Sequence, residues 1–90
     1  MECKHSQNVT QRLARIAGQV NGIREMVEEG RPCEEVLVQL SSASRALTQA
    51  ARLVMTEHLE HCVAEGFATG DEAAVIENLA KALEQFAKMK

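Results

Sequence analysis

Between positions 33 and 62 the chain reads CEEVLVQLSSASRALTQAARLVMTEHLEHC, a run with no proline or glycine in which apolar residues recur at steps of three and four. That period belongs to an α-helix. Its apolar seam is Leu37, Leu40, Ser44, Leu47, Ala51 and Val54, prolonged by Cys33 at one end and by His58 and Cys62 at the other. Residues four apart share a helix face, so the His58 imidazole and the Cys62 thiolate can grip one ion together. Cys33 cannot join them within its own chain: 25 positions along a continuous helix amount to roughly 38 Å. A site using all three residues is therefore expected between subunits. If two copies pack antiparallel about a two-fold near residue 47 or 48, facing residues have numbers that sum to about 95. Leu37 then meets the partner's His58, Ser44 the partner's Ala51, and Cys33 the partner's Cys62. Such an isologous pair repeats every contact, which gives two equivalent sites, one at each end of the helix pair.

The rest of the chain fits an all-α protein. It has 90 residues, two phenylalanines, no Trp or Tyr and one proline, and no useful alternating apolar and polar run. So short a chain with so few aromatics builds a thin core alone, and oligomerisation is the simplest remedy. One domain over residues 1–90 is expected, with residues 1–8 a mobile arm. Asn8-Val9-Thr10-Gln11 reads as a capping box opening a first helix whose Val9, Leu13, Ile16, Val20, Ile23 and Val27 recur at steps of four and three. Gly30-Arg31-Pro32 closes it and starts the second helix. That helix is predicted to run to Glu65, with a turn at residues 66–70. Thr69-Gly70-Asp71-Glu72 reads as a second capping box, opening a third helix with Val75, Leu79, Leu83 and Phe86 as its buried stripe.

No secretory leader, lipidation signal or apolar run of about 18 residues is present, so a cytoplasmic protein with no membrane role is expected. Three cysteines, an odd count in a reducing compartment, point to metal or redox chemistry rather than to a disulfide scaffold. A net charge of −3 argues at first sight against nucleic acid. The distribution matters more. Residues 3–24 hold Lys4, Arg12, Arg15 and Arg24 and no acid, and residues 36–56 hold Arg45 and Arg52 and no acid. Two basic faces repeated by an oligomer could hold a duplex. There is no glycine-rich phosphate loop and no nucleophile elbow, so the chain is expected not to be an enzyme and to have no small organic substrate.

Two thiolates and one imidazole, with no carboxylate on the seam, form a soft set of low coordination number suited to Cu(I). Cys3, His5 or His61 could supply a fourth position, and that would favour Zn(II), Ni(II) or Co(II).

The residues resemble the CsoR/RcnR group of bacterial ligand-responsive repressors. The likeness spans nearly the whole chain: Arg12-Leu13-Ala14-Arg15-Ile16-Ala17-Gly18-Gln19-Val20, Gly22-Ile23, Cys33, Gln39-Leu40-Ser41 and His58-Leu59-Glu60-His61-Cys62. The resemblance implies a three-helix chain, an antiparallel helix-pair dimer and a flat tetramer made of two dimers. It implies binding of operator DNA through basic residues on a broad helical face, with release when the ligand binds. Arg12 and Arg15 match basic residues implicated in that contact, and Arg45 and Arg52 are candidates to add to it, since Gln49 stands where some copper sensors have a basic residue. The Cys33, His58 and Cys62 set resembles the Cu(I) sensors; nickel and cobalt sensors are richer in histidine, and persulfide sensors keep both cysteines without the histidine. Copper sensors often carry a Tyr before the first Cys and a Glu on the third helix, where this chain has Pro32 and Asn78. The expectation is thus a cytoplasmic homotetrameric repressor that releases operator DNA on binding Cu(I). The alternatives are a persulfide or other thiol-reactive sensor, a nickel or cobalt sensor, and, from another class, a helical copper buffer with no DNA role.

Overall fold

The computed structural model describes residues 5–89, and among them every regular element is helical. Helix α1 spans Gln7–Glu28 and α2 spans Cys33–Glu57. Beyond α2 the rod continues without a break through a π-helical segment, His58–Val63, into a short α3, Ala64–Ala68. Helix α4, Glu72–Ala87, completes the chain. Its principal dimensions are 56 × 24 × 14 Å, the shape of a flat rod. Among the described residues no helix is long and apolar enough to cross a membrane.

Both turns between rods have the same design. Gly30 has φ +73°, its amide bonds Val27 O at 3.1 Å, and the amide of Arg31 reaches back to Met26 O at 3.0 Å. Gly70 has φ +82°, with Gly70 N to Phe67 O at 3.1 Å and Asp71 N to Gly66 O at 3.2 Å. This pair of bonds is the Schellman closure, which needs a left-handed residue and so a glycine. Pro32 is the residue before α2, at φ −54° and ψ 141°, and Cys33 is the first helical residue, as its place in a first turn predicts. Glu34 and Glu35 follow it in the first turn, where negative charge complements the helix dipole.

The other helix starts differ from expectation. Ser6, not Asn8, precedes α1, and its hydroxyl is engaged by Glu57 instead of capping the helix. Asn8 lies inside α1 and accepts from Arg12 Nε at 3.3 Å. Residues 5–8 of the expected arm are accordingly helix or docked against it. Thr69 does not open α4: its hydroxyl donates to Gly66 O at 2.9 Å, closing α3, and Asp71 is the residue before α4. The expected turn at residues 66–70 is confined to Thr69 and Gly70, because the rod carries on to Ala68.

Helices α1 and α2 form an antiparallel hairpin. Burial recurs at steps of seven on both: Val9, Ile16 and Ile23 on α1, Ala43, Ala50 and Glu57 on α2. His5 and Ser6 bond Glu57, and Ile16 borders the same hollow as Ala46, so these facing residue numbers sum to 62 or 63. Small Ala43 and Ala50, near Ile23 and Ile16 respectively, let the two rods approach closely. The other half of the α1 stripe does not join this core. Leu13, Val20 and Val27 are 45, 50 and 60% exposed. Helix α4 folds back on α3 and on the end of α2. There Val75, 1% exposed, is the most buried side chain, while Leu79 and Phe86 are half-buried and Leu83 is exposed, contrary to its place in the predicted stripe.

Candidate metal centre

The seam expected to carry a partner is open in the single chain. Leu37, Leu40 and Leu47 are 63, 47 and 42% exposed, Ser44 is exposed, and Ala51 and Val54 are half-buried. On α1, Leu13, Val20 and Val27 each follow by four the buried positions Val9, Ile16 and Ile23; on α2, Leu40, Leu47 and Val54 stand four beyond Val36, Ala43 and Ala50. In an antiparallel pair these two flanking stripes lie on the same side. The hairpin thus has one broad apolar face, formed by both helices and, among the described residues, largely uncovered apart from the Val54 end near α4.

The three soft residues sit at the ends of that face. Cys33 is exposed at the start of α2. His58 is half-buried and opens the π-helical segment; Cys62 lies within it and is 8% exposed. The whole of α2 separates Cys33 from the other two. Among the described residues, no three His, Cys, Asp or Glu side chains of one chain converge on a point. The structure therefore brings His58 and Cys62 into one segment and keeps Cys33 apart, the arrangement that the intersubunit reading requires. The regular helix expected over this segment is replaced by π geometry. A π turn bonds each residue to the fifth before it and occurs mostly as a single turn at functional positions. The extra residue per turn keeps side chains four and five apart on one face, and so preserves the His58 and Cys62 pairing.

A feature beside the site went unread in the sequence. Glu57, the last residue of α2, is 9% exposed, and its carboxylate accepts three hydrogen bonds from the start of α1. Ser6 Oγ donates to Oε2 at 2.5 Å, Ser6 N to Oε1 at 2.9 Å, and His5 Nδ1 lies 3.1 Å from Oε1. The two Ser6 bonds foremost, with lesser help from His5, hold the carboxyl below its ordinary pKa although burial pushes the other way. The signal was present in the seven-residue step Ala43, Ala50, Glu57, which puts an acid in the hairpin core.

Of the accessory candidates, His5 is held by Glu57, and His61 is an exposed side chain 3.9 Å from Glu60. Cys3 lies outside the described residues. Neither position that differs from the copper sensors faces this site with a carboxylate or phenol: Pro32 is an exposed helix-start residue, and Asn78 Nδ2 donates to Ala74 O at 2.8 Å within α4. His5 and His58 share a cleft of about 360 Å³, together with Ala51, Val54, Met55, Ala82, Gln85, Phe86 and Met89.

Arg12 and Arg15 lie on the other flank of α1 from the Leu13 and Val20 stripe. Arg12, Arg15 and Gln19 of α1 and Ala46 of α2 border a hollow of about 180 Å³. Arg45 and Arg52, seven apart on α2, are turned away from the Leu40, Leu47 and Val54 stripe. Among the described residues Arg15, Arg45 and Arg52 enter no ion pair, whereas Arg24, Arg31 and Lys81 each pair with a Glu four positions on or back.

The model of the metal-sensitive transcriptional repressor family matches residues 5–85. The chain is 39% identical over 85 residues to the copper-sensing transcriptional repressor CsoR of Bacillus subtilis, covering 94% of this chain and 84% of that protein. Among solved structures it is similar to the copper-sensing repressor CsoR with Cu(I) from Geobacillus thermodenitrificans, with a TM-score of 0.86, 36% identity and coverage of 97% of this chain and 94% of that one. The nickel-responsive transcriptional regulator InrS is also similar, with a TM-score of 0.77, 35% identity and coverage of 96% and 97%.

Proposed function

This chain belongs to the metal-sensitive transcriptional repressor family, and from that membership we propose that it is a Cu(I)-responsive repressor of the kind its CsoR relatives are named for. It is not an enzyme, and double-stranded DNA is the partner a transcriptional repressor acts on. The observation that carries the reading is the placement of soft ligands at both ends of an exposed apolar face. Cys33 stands at one end and His58 with Cys62 at the other, with Leu37, Leu40, Leu47 and Val54 between them. Antiparallel pairing of two copies over that face buries the apolar stripes and joins Cys33 of each copy to the partner's His58 and the partner's Cys62.

Cys62 is disulfide-bonded in the structure, and once it is reduced the donor set fits Cu(I). Two thiolates and an imidazole suit a soft monovalent ion in three-coordination, and the nearest buried carboxylate, Glu57, is committed to Ser6 and His5. When bound, the ion supplies a bond between subunits at each end of the helix pair. The rest of the switch is the chain's own. Cys33 fixes the start of one α2 against the π-helical segment of the other. That segment is continuous with Glu57, which ties the start of α1, and α1 carries Arg12 and Arg15 one to two turns further on. A change in the angle between paired hairpins therefore moves the four-arginine face, Arg12, Arg15, Arg45 and Arg52, relative to its copy in the oligomer. A coupling of about 1–3 kcal/mol per ligand is typical of such linkage. The oligomer that presents several such faces is a tetramer of two dimers in the cytoplasm.

Anaerobic titration of the reduced protein with Cu(I), with Ni(II) in parallel, tests the reading, using X-ray absorption for the ligands and fluorescence anisotropy for operator release. One Cu(I) per chain with two sulfurs and one nitrogen, lost in each of Cys33→Ala, His58→Ala and Cys62→Ala, is the expected result. Tight Ni(II) binding in a nitrogen-rich shell would move the reading to the nickel branch. The exposed Cys33 thiol supports one second reading, a thiol-reactive sensor that links Cys33 to the partner's Cys62. His58→Ala separates the two, for it abolishes a copper response and spares a persulfide response.

A further inference from the structure

The cleft of about 360 Å³ beside His58 brings together side chains of one donor chemistry. Two thioethers, Met55 from the end of α2 and Met89 from just beyond α4, share it with two imidazoles, His5 and His58. These are two of the four methionines and two of the three histidines in the chain, drawn from segments far apart in sequence. Among the described residues no carboxylate, ammonium or guanidinium lines the cleft, and Gln85 is the remaining polar side chain there. Neutral thioether and imidazole donors in a largely apolar pocket discriminate for soft monovalent ions and against hydrated divalent ones.

The setting of His5 adds an independent observation. Its Nδ1 lies 3.1 Å from Glu57 Oε1, hydrogen-bond distance from a carboxylate oxygen, and a carboxylate oxygen accepts, so Nδ1–H is the donor of that contact. In the tautomer that donates from Nδ1, the ring's lone pair is on Nε2. A carboxylate behind one ring nitrogen, fixing tautomer and orientation while the other nitrogen is available, is the usual support of a metal-ligating histidine.

We infer that this cleft is a second, weaker site for Cu(I), in which His5, Met55 and Met89 take the ion and pass it to the centre at His58. The inference rests on the Cu(I) reading above. In the reduced protein, where Cys62 is a thiol, transfer is ligand exchange alone: the ion stays Cu(I), thioether bonds are given up as the His58 and thiolate bonds form, and each thiol proton goes to solvent. Because His58 borders the cleft and also belongs to the proposed centre, an ion held by the thioethers is already beside its next ligand. The cleft adjoins the expected dimer seam at Ala51 and Val54 of α2, whereas Ala82, Phe86 and Met89 line it from α4 and the residues just beyond.

The test keeps this site apart from the thiolate centre. Protein carrying Cys33→Ala and Cys62→Ala, with 13C-labelled methionine methyl groups, is titrated anaerobically with Ag(I) and with Cu(I). The methyl signals of Met55 and Met89 should shift together and saturate at one ion per chain while Met26, on α1, stays in place; His5→Ala should weaken the binding about tenfold. In the otherwise unaltered chain, Met55→Leu with Met89→Leu should slow Cu(I) uptake from a bathocuproine complex about tenfold and leave the final stoichiometry at the thiolate centre unchanged. Methionine signals that do not move, or that move equally at Met26, would overturn the inference, as would an uptake rate the leucine pair leaves unaltered. Failure of the unaltered chain to bind Cu(I) at all would instead remove the copper reading itself.

Discussion

Glu57 shows how one side chain links the two ends of the hairpin. Its carboxylate closes three bonds with His5 and Ser6, and removing its charge leaves those donors facing an amide. A group whose folded pKa is depressed adds stability above its unfolded value and loses it as pH falls through the folded one. For Glu57 that window lies below the ordinary 4.5. Glu57→Gln should therefore be less stable than the parent at neutral pH, with the gap closing as pH is lowered below 4.5 in urea melts at fixed protein concentration. A gap that is constant with pH would mean the carboxylate's charge has no part in the contact. His58→Ala belongs to the same scale: one ligand is lost, DNA affinity without metal is kept, and Cu(I) no longer releases the operator in an anisotropy titration. Neither role was equally legible. The His58 and Cys62 spacing is readable as a ligand pair because i, i+4 is a local relation. The partners of Glu57 lie 51 and 52 positions away, and no local pattern announces them.

At the scale of elements, the amphipathic stripe of α1 divides in two. Ile16 is 7% exposed against α2, so Ile16→Ala removes buried surface and should lower stability by about 3 kcal/mol in equilibrium denaturation. Val20, 50% exposed on the other flank, should behave differently: Val20→Ala leaves the hairpin nearly intact and weakens self-association, read by sedimentation at falling concentration. Periodicity alone put both residues in one stripe, because a step of three and four cannot say which neighbour each half will meet. The basic residues carry a salt-dependent prediction. Removing Arg15 should weaken binding of specific and unrelated duplexes alike and reduce the slope of log affinity against log salt by about one. An unchanged slope would take Arg15 out of the DNA contact. Helix boundaries were the least legible part. The capping motifs at Asn8 and Thr69 are cap-forming sequences, but Ser6 and Asp71 are the residues that precede α1 and α4, Ser6 bonded to Glu57 and Asp71 following the positive-φ Gly70.

For the whole molecule, the proposed centre exists only when two copies meet. A two-fold near residue 47 or 48 sets Leu47 beside the partner's Leu47, so Leu47→Glu places two like charges together in an apolar seam. Monomeric protein in sedimentation, with the two-sulfur, one-nitrogen copper signature lost, is the expected outcome. A monomer that still bound Cu(I) with all three ligands would overturn the intersubunit centre, since α2 holds Cys33 and His58 at opposite ends. The sequence by itself determined the helical class, the long rod, its seam and the soft donors at its ends. All of these follow from spacing along one helix, where neighbours in space are neighbours in sequence. Only the tertiary structure decided that α1 lends half its stripe to the open face, that Glu57 fastens the start of α1 and that the donors sit in a π-helical turn. It alone also gathered His5, Met55, His58 and Met89 around one cleft. Those relations join residues dozens of positions apart, and their energy lies in packing and hydrogen bonds that form only once the rods have folded back on one another.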